Sequence, residues 1–386
     1  MFSSFFLMIL AADVLGSLYV WWRAKQGFQL QGRRKWIFTA IYVFVAIAYL
    51  LRRVLERNGA PYYISEVFDW VGSFWIVLLC YYFLSLLLID LVRLVNVWLK
   101  FLPRKDSPKY PKLRRDVAWF VTIGVMIAVF IGHMNSRYVH IRPMEITFDK
   151  PMEYDSLVVV SAADFHMGSI IGPKRTQHQY VDKINALNAD IVLIAGDIVD
   201  GDLEPVERQN LGPIVQQIKS RYGVYGIMGN HEYFGGGDPS AEYLHKHGIY
   251  MLRDTVVEVA GLYIMGREDR SGERRTGRKR KLISELKQGL DPTKPVLMMD
   301  HQPYNLEDAD TNGIDFQLSG HSHHGQFWPI NHITDAVYEV SWGYKKKENT
   351  HVYVTCGAGT WGPPVRLGST PEIMRIVMRF PKRSTK

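Results

Sequence analysis

The sequence predicts an α-helical membrane region followed by an α/β domain. Long apolar segments fill the first part of the chain, whereas later residues alternate short apolar strands with stretches of helical length. Five of those strands end in Asp, Asn or His, the residue types that bind hard and borderline metal ions. The chain has 386 residues, enough for about two to three units. We therefore expect a membrane region over 1–140, a linker over 141–156 and a second domain over 157–386.

Four apolar segments in the first region are each close to the length of a membrane-spanning helix. Such a helix needs about 20 apolar residues to cross the bilayer core. Tryptophans lie near the segment ends, as an interfacial aromatic belt requires. The lack of a basic start and of a clear cleavage site disfavours a signal peptide, and the scarcity of charges disfavours buried helices of a soluble domain. The predicted spans are 2–22, 36–51, 71–89 with an extension over 91–99, and 117–132.

Basic residues between these segments predict their orientation. The loops after the first and third segments hold five and seven Lys or Arg, whereas the loop after the second segment and the stretch after the fourth hold three each. The positive-inside rule places the two basic loops in the cytoplasm and everything after residue 140 outside. We therefore predict a multi-pass protein of the cell membrane with an extracytoplasmic second domain.

Charge and cysteine content disfavour other classes of protein. The formal net charge is +8, and many basic residues flank apolar segments, which fits membrane topology better than nucleic-acid binding. Two cysteines, Cys80 and Cys356, are too few for a disulfide framework or a Cys-rich zinc site. The stretch 267–281 holds eight basic residues among fifteen. It is expected to be a mobile loop that attracts an anionic substrate or lipid headgroups, or else a solvated surface loop.

Polar residues with metal-binding side chains follow five apolar runs of the second domain. The central run, 191–195, leads into Gly-Asp. Because loops at the carboxyl ends of strands carry the ligands in α/β domains, we expect the residues after these five runs to lie together. They are Asp164, His166, Asp197, Asn230, His231, His301, His321 and His323.

In this order the motifs resemble the signature of the calcineurin-like metallophosphoesterases. The matching stretches are Asp-x-His at 164–166, Gly-Asp-x-x-Asp at 196–200, Gly-Asn-His-Glu at 229–232, a single His at 301 and Gly-His-x-His at 320–323. The tail over 364–368 and 371–373 is similar to the branch that includes membrane-tethered bacterial enzymes. The resemblance covers residues 157–380. It implies a two-sheet β-sandwich flanked by helices.

The resemblance also implies a centre of two divalent metal ions, which would be zinc, manganese or iron. Asp197 would bridge the two ions. The first ion would be bound by Asp164, His166, Asp197 and His323, and the second by Asp197, Asn230, His301 and His321. A hydroxide that bridges the metals would attack phosphorus in line. His231 would act as general acid or stabilise charge on the leaving group.

Three residues beside the motifs have other expected roles. Asp200 is expected to support the ligands or the fold rather than to bind metal. Glu232 is expected to order its loop. His324 follows His323 where the family often has Gly, so either histidine could fill the first metal site, and we expect His323 to do so.

Together these features predict a membrane-anchored phosphohydrolase acting on a phosphomonoester, a phosphodiester or a pyrophosphate. The membrane region indicates a lipid-linked or cell-envelope substrate. A nucleotide-lipid pyrophosphate is a further substrate class, although it would imply a cytosolic site. The alternative function is a catalytically silent scaffold or receptor that retains the fold, which a missing ligand would favour, and none is missing. A transporter and a nucleic-acid phosphodiesterase are disfavoured, because the spans contain few acids and no nucleic-acid-binding module is recognisable.

Overall fold

The computed structural model describes residues 4–382. The chain divides into two compact units, Met1–Ile131 and Gly132–Lys386. The first unit is helical, and its last residue, Ile131, lies inside its last helix. Helices α1 to α5 are, in order, Ser4–Gly27, Gly32–Ala46, Ala48–Arg57, Tyr62–Leu99 and Tyr110–Ser136.

Two helices, α4 and α5, are long and apolar enough to cross a membrane. They contain the third and fourth predicted spans. The first predicted span, 2–22, lies in α1, except that residues 2 and 3 are outside the described residues. The second, 36–51, is divided between α2 and α3, because Ile47 has a φ of −94° and a ψ of 0°, outside regular helix geometry. By length and composition, α4 and α5 are the candidate membrane-spanning helices among residues 4–382, and the first two predicted segments do not meet this criterion.

Several charged side chains within the helices of the first unit form ion pairs with a neighbouring helix. Tyr19 donates a hydrogen bond of 2.6 Å to Asp90 of α4, and Arg23 of α1 forms an ion pair with the same carboxylate. Arg52 of α3 pairs with Asp69 of α4 at 3.0 Å. Because an unpaired charge among apolar helices is costly, these pairs help to hold α1 and α3 against α4.

The second unit contains two six-stranded mixed sheets. The strands β1 to β12 are His140–Thr147, Ser156–Ala162, Ile191–Ile194, Val224–Gly226, Tyr250–Met251, Thr255–Val259, Leu262–Gly266, Val296–Met299, Phe316–Ser319, Gly343–Lys346, His351–Val354 and Glu372–Arg379. The strand orders in the two sheets are β1-β12-β2-β3-β4-β5 and β10-β11-β9-β8-β7-β6. Helices α6 to α15 are Pro173–Arg175, Asp182–Asn185, Glu204–Arg208, Gly212–Val215, Asn230–Phe234, Asp238–Lys246, Arg270–Thr276, Ile283–Leu286, Leu306–Thr311 and Ile330–Val337.

Alternating side chains of the strands build three layers of core. Val159 and Leu193 of the first sheet share a buried cluster with Leu297 and Leu318 of the second, which fills the space between the sheets. Side chains on the outer face of the first sheet pack against helical residues such as Tyr180. Helix α13 packs on the outer face of the second sheet. The predicted α/β domain is thus confirmed, as two sheets with helices outside.

Two segments differ from the elements that the sequence predicts. The expected linker 141–156 contains most of β1, which pairs in parallel with β12. This edge strand is half polar and includes Pro143, so its sequence lacks a buried-strand pattern. The expected mobile loop 267–281 contains α12. Asp269 caps that helix by accepting a hydrogen bond of 2.7 Å from Ser271 N, and Gly277 ends it with a φ of 73°.

Candidate metal centre

The five motifs follow parallel strands that end on the same side of the sandwich. Asp164, Asp197 and Asn230 follow β2, β3 and β4, which are parallel neighbours in the first sheet. His301 and His321 follow β8 and β9, which are parallel neighbours in the second. Because parallel strands bring their carboxyl ends to one edge, the loops converge there.

Left-handed backbone conformations turn these side chains toward one another. The left-handed conformation costs a non-glycine residue about 1–2 kcal/mol of conformational free energy. The surrounding structure must therefore hold such a residue in place. The φ angles are 55° at Asp164, 48° at His166, 50° at Asp197, 70° at His321, 46° at His323 and 46° at His324. Such a concentration of strained residues at one edge is typical of a functional site.

Asp164, His166 and His323 form the first buried cluster, and their potential ligand atoms lie within 4.8 Å of one another. The Nε2 atoms of His166 and His323 are 3.0 Å apart. His323 Nε2 is 3.6 Å from Asp164 Oδ1. His166 Nδ1 donates to Asp200 Oδ1 at 3.0 Å, so its Nε2 lone pair faces the cluster.

Asp197, His301 and His321 form the second cluster, again within 4.8 Å. His301 Nε2 lies 3.2 Å from Asp197 Oδ2 and 3.2 Å from Asn230 Oδ1. The same Asp197 oxygen is 3.8 Å from His166 Nε2 in the first cluster. Asp197 therefore faces both clusters.

The donor set fits divalent metal ions. It combines carboxylate, amide and imidazole groups without sulfur, as zinc, manganese and iron sites do. The Nδ1–H group of His166 donates a hydrogen bond to the carboxylate of Asp200. The Nδ1–H group of His301 donates a hydrogen bond of 2.7 Å to the Ala195 carbonyl. Ligating histidines are commonly oriented by such bonds. Burial, followed by the charge of His301, lowers the pKa of His321 to about 3, so this ring is neutral and keeps a lone pair for a metal.

His231 lies beside the first cluster and is partly exposed, whereas His166, His301 and His323 are buried. Its Nδ1 is 2.9 Å from Asp200 Oδ1, and its side chain is 18% exposed. Its backbone N–H donates to Asp197 Oδ1 at 2.9 Å. Burial lowers the pKa of His231, but the negative charge of Asp197 and the hydrogen bond with Asp200 outweigh it and raise that pKa to about 9. A protonated imidazole at neutral pH can donate a proton to a leaving group.

Glu232 organises the backbone of two of the loops. Its buried carboxylate accepts hydrogen bonds from the backbone nitrogens of Asp197 at 3.2 Å, Ile198 at 2.5 Å, Val199 at 2.9 Å and Gly229 at 2.7 Å. Because these N–H groups use both carboxylate oxygens, the contacts support the loop-ordering role that the sequence indicates.

The two consecutive histidines point to different partners. His323 faces Asp164 and His166, whereas His324 Nδ1 contacts Ser341 Oγ at 2.8 Å. Of the predicted residues, the two clusters bring together Asp164, His166, Asp197, His301, His321 and His323, with Asn230 beside His301 and His231 beside Asp200.

Sequence reasoning did not identify Arg366 as part of this site. This fully buried side chain places Nη2 2.9 Å from His323 Nδ1. The same nitrogen donates to the Gly359 carbonyl at 2.5 Å, and Nη1 donates to Ser369 Oγ at 3.1 Å. The only signal in the sequence was the tail motif 364–368, for which no role was predicted.

Comparison with known proteins identifies the family of this chain. The sequence profile of the calcineurin-like phosphoesterases matches residues 157–325. An uncharacterized metallophosphoesterase of Helicobacter pylori strain J99 is 30% identical over 269 residues, which are 68% of this chain and 71% of the relative. The chain belongs to the calcineurin-like metallophosphoesterases. This metallophosphoesterase is therefore a hydrolase that acts on phosphoester bonds, and the predicted family and enzyme class are confirmed.

Two longer similarities extend over nearly the whole metallophosphoesterase. An uncharacterized metallophosphoesterase of Campylobacter jejuni is 25% identical over 388 residues, covering 99% of this chain and 100% of the relative. A transmembrane protein with a metallophosphoesterase domain from Danio rerio is 28% identical over 400 residues, covering 97% of this chain and 89% of the relative. Both therefore align with the helical unit as well as the sandwich.

We expect Gly229→Ala to destabilise the metallophosphoesterase and weaken metal binding. A Cβ at Gly229 would overlap Asp197 Oδ1 and lie 2.5 Å from the Asp197 backbone nitrogen, which real Cβ atoms do not tolerate. Overpacking of this kind costs about 1–3 kcal/mol. Gly168→Ala is the control, because the nearest atom to its new Cβ is Asp200 Cβ at 3.5 Å. The two variants are compared by their midpoints of thermal unfolding and by their metal content. Equal effects of Gly229→Ala and Gly168→Ala would contradict the expectation.

Proposed function

We propose that the chain is a membrane-anchored phosphohydrolase with two metal ions at the converging loops. The observation that carries this proposal is the pair of buried clusters that share Asp197 between them. Asp164, His166, Asp197 and His323 would hold the first ion. Asp197, Asn230, His301 and His321 would hold the second. A pair of divalent ions supplies an activated water and neutralises charge on the phosphoryl oxygens.

Other residues of the site orient groups and move a proton. His231 donates a proton to the leaving oxygen, and its exposure of 18% fits a group that meets the substrate. Asp200 accepts hydrogen bonds from both His166 and His231. It thereby fixes the orientation of one ligand and of the proton donor at once. Burial raises the pKa of Asp200, but these two bonds outweigh it and hold the pKa below its usual range.

The reaction class is hydrolysis of a phosphomonoester, phosphodiester or pyrophosphate. Membrane association supports a lipid-linked or cell-envelope phosphate as the natural substrate. Two observations support that association, namely the long apolar helices α4 and α5 and the similarity to a transmembrane relative over 97% of this chain. A fold shared by many enzymes does not by itself select the substrate.

Hydrolysis of simple aryl esters tests the proposed function. The detergent-purified protein is freed of metal with a chelator and then assayed with bis(4-nitrophenyl) phosphate and with 4-nitrophenyl phosphate, with and without manganese or zinc. We expect turnover that depends on added metal. The ester that is preferred indicates the substrate class. Absence of both turnover and bound metal would contradict the proposal and favour the silent scaffold.

We also propose that the four predicted segments cross the membrane and leave the second unit outside. Fusion of alkaline phosphatase after residue 386 should then give an active phosphatase in a bacterial host, and fusion of a fluorescent protein there should stay dark. Fusions after residue 105 should give the reverse result, because that loop is basic and expected in the cytoplasm. A fluorescent fusion after residue 386 with an inactive phosphatase fusion would contradict this orientation.

A further inference from the structure

Helix α12 is attached to the two loops that carry ligands of the proposed second metal. Gln302 Nε2 donates to both carboxylate oxygens of Asp269, each at 3.0 Å, and Gln302 directly follows the ligand His301. On the other side, Gly272 packs so closely on α10 that a Cβ there would lie 2.7 Å from Tyr233 Cζ. These two attachments place α12 at the rim of the metal centre.

One arginine of α12 contacts an aromatic ring that in turn contacts His231, the proposed proton donor. Arg275 Cζ is 5.1 Å from the centroid of the Phe234 ring. The Phe234 ring is 4.9 Å from the His231 ring. Phe234 is 51% exposed, although it is large and apolar. A cation and an exposed aromatic ring therefore stand beside the group that is expected to meet the leaving oxygen.

A second arginine of α12 approaches the centre from the other flank. Arg270 Cζ is 5.3 Å from the centroid of the Tyr304 ring. The rings of Tyr304 and Tyr338 are 4.9 Å apart, and their hydroxyl oxygens are 3.2 Å apart. Tyr338 in turn lies 6.2 Å from the ring of the ligand His321. The two arginines thus flank the rim along two separate rows of rings.

The charges of these two arginines are not neutralised within the described part of the chain. Over residues 4–382, neither Arg270 nor Arg275 forms an ion pair, and the Arg270 Nε atom is buried without a hydrogen-bond partner. The neighbouring Arg267 and Arg280 also have a buried Nε without a hydrogen-bond partner, but both differ from Arg270 in forming an ion pair with Asp300. A guanidinium group is well matched to phosphate, which accepts two parallel hydrogen bonds from it. A phosphate at this rim would supply the missing partner.

We propose that Arg270 and Arg275 form a subsite for a second phosphate group of the substrate. This inference rests on the proposed function of the metal centre, where the first phosphate is hydrolysed. The substrate would then carry two phosphates a few bonds apart, either on a nucleotide or on a lipid. Phe234 and Tyr304 would contact the part of the substrate that joins the two phosphates.

A matched pair of chromogenic esters tests the subsite in the full-length protein. Thymidine 5′-(4-nitrophenyl phosphate) carries the scissile phosphodiester alone, and its 3′-phosphate derivative carries a second phosphate as well. The variant R270Q/R275Q removes both proposed contacts. The control variant K219Q/K246Q removes the same charge from exposed positions on the second unit.

We expect R270Q/R275Q to raise KM for the 3′-phosphorylated ester about tenfold, the effect of losing one charged hydrogen bond or more. Its kcat, and its KM for the ester with one phosphate, should change by less than about twofold. The control variant should leave both KM values unchanged. An equal rise in KM for both esters, or no rise for either, would overturn the subsite. Failure of the wild-type protein to hydrolyse these two esters, bis(4-nitrophenyl) phosphate and 4-nitrophenyl phosphate would instead count against the proposed function, so the two failures are distinct.

Competitors distinguish the two sources of the second phosphate. Adenosine 3′,5′-bisphosphate and monomeric dihexanoyl phosphatidic acid are compared as inhibitors of the wild-type protein and of R270Q/R275Q. If the nucleotide inhibits the wild-type protein more strongly, and R270Q/R275Q weakens this inhibition, the second phosphate belongs to a nucleotide. If the lipid inhibits more strongly, and R270Q/R275Q weakens that inhibition, the second phosphate belongs to a lipid. Inhibition that is independent of the arginines for both competitors would overturn the subsite.

Discussion

Asp197→Asn should abolish phosphoester hydrolysis and reduce bound metal below two ions per chain. The Asp197 Oδ2 atom lies 3.2 Å from His301 Nε2 and 3.8 Å from His166 Nε2, so it faces both clusters. An amide has one neutral oxygen and cannot balance the charge of two cations as a carboxylate does. We therefore expect kcat to fall by about 10³-fold or more, comparable with losing the main electrostatic stabilisation of a site.

Two further substitutions calibrate this result. Asp200→Asn should lower metal affinity or activity by about 10–100-fold, because Asp200 contacts one ligand histidine and does not share the position between the clusters. Asp149→Asn changes an exposed acid away from the motifs and should have no effect. Turnover and metal content measured on all three variants give the ranking. An Asp197→Asn protein that keeps activity within tenfold of wild type would contradict the shared-ligand role.

Arg366→Met should lower the free energy of unfolding by about 3 kcal/mol. The guanidinium group is fully buried and supplies donors to the Gly359 carbonyl, Ser369 Oγ and His323 Nδ1. Methionine fills similar volume but leaves these acceptors without partners in the interior. A loss of this size corresponds to about 6–12 °C in the midpoint of thermal unfolding for a unit of this length.

The matched control for Arg366 is a surface arginine that also forms hydrogen bonds. Arg379 pairs with Glu145 through its side chain, which is 53% exposed. Exposed pairs contribute about 0–1 kcal/mol, so Arg379→Met should barely change the unfolding midpoint. Arg366→Lys retains the charge but not the planar fork, and should fall between the two. Equal midpoints for Arg366→Met and Arg379→Met would show that the buried contacts contribute nothing.

The sequence was sufficient to predict the position of the candidate centre, because strand ends are local features. Each of Asp164, Asp197 and His301 follows a short apolar run directly, and parallel pairing then brings such runs to one edge. Their conformations could not be predicted. Asp197 has a φ of 50° only because the surrounding loops hold it there.

Features that depend on distant contacts or on helix ends were predicted less well. Arg366 lies 43 positions from His323, and no local pattern connects them. Strand β1 is half polar and is stabilised by its pairing with β12 rather than by burial of its own side chains. Because its stretch is rich in basic residues, helix α12 was predicted as a mobile loop. Asp269 and Gly277 are nevertheless an ordinary N-cap and C-terminal glycine.

The membrane region shows the same limit. Apolar length alone predicted four spans, but the second predicted segment is interrupted at Ile47, and helix α3 beyond it contains several arginines. Composition averaged over a window does not report where a helix ends. Within the described residues, α4 and α5 are long and apolar enough to cross a membrane, and they contain the third and fourth predicted segments.

The central claim is that the converging loops hold two metal ions with Asp197 between them. Electron paramagnetic resonance of the metal-free, full-length protein titrated with manganese tests it most directly. We predict two ions bound per chain and the signal of an exchange-coupled manganese pair, which Asp197→Asn abolishes. Binding of a single ion, or of two ions with the signals of isolated manganese, would contradict the claim.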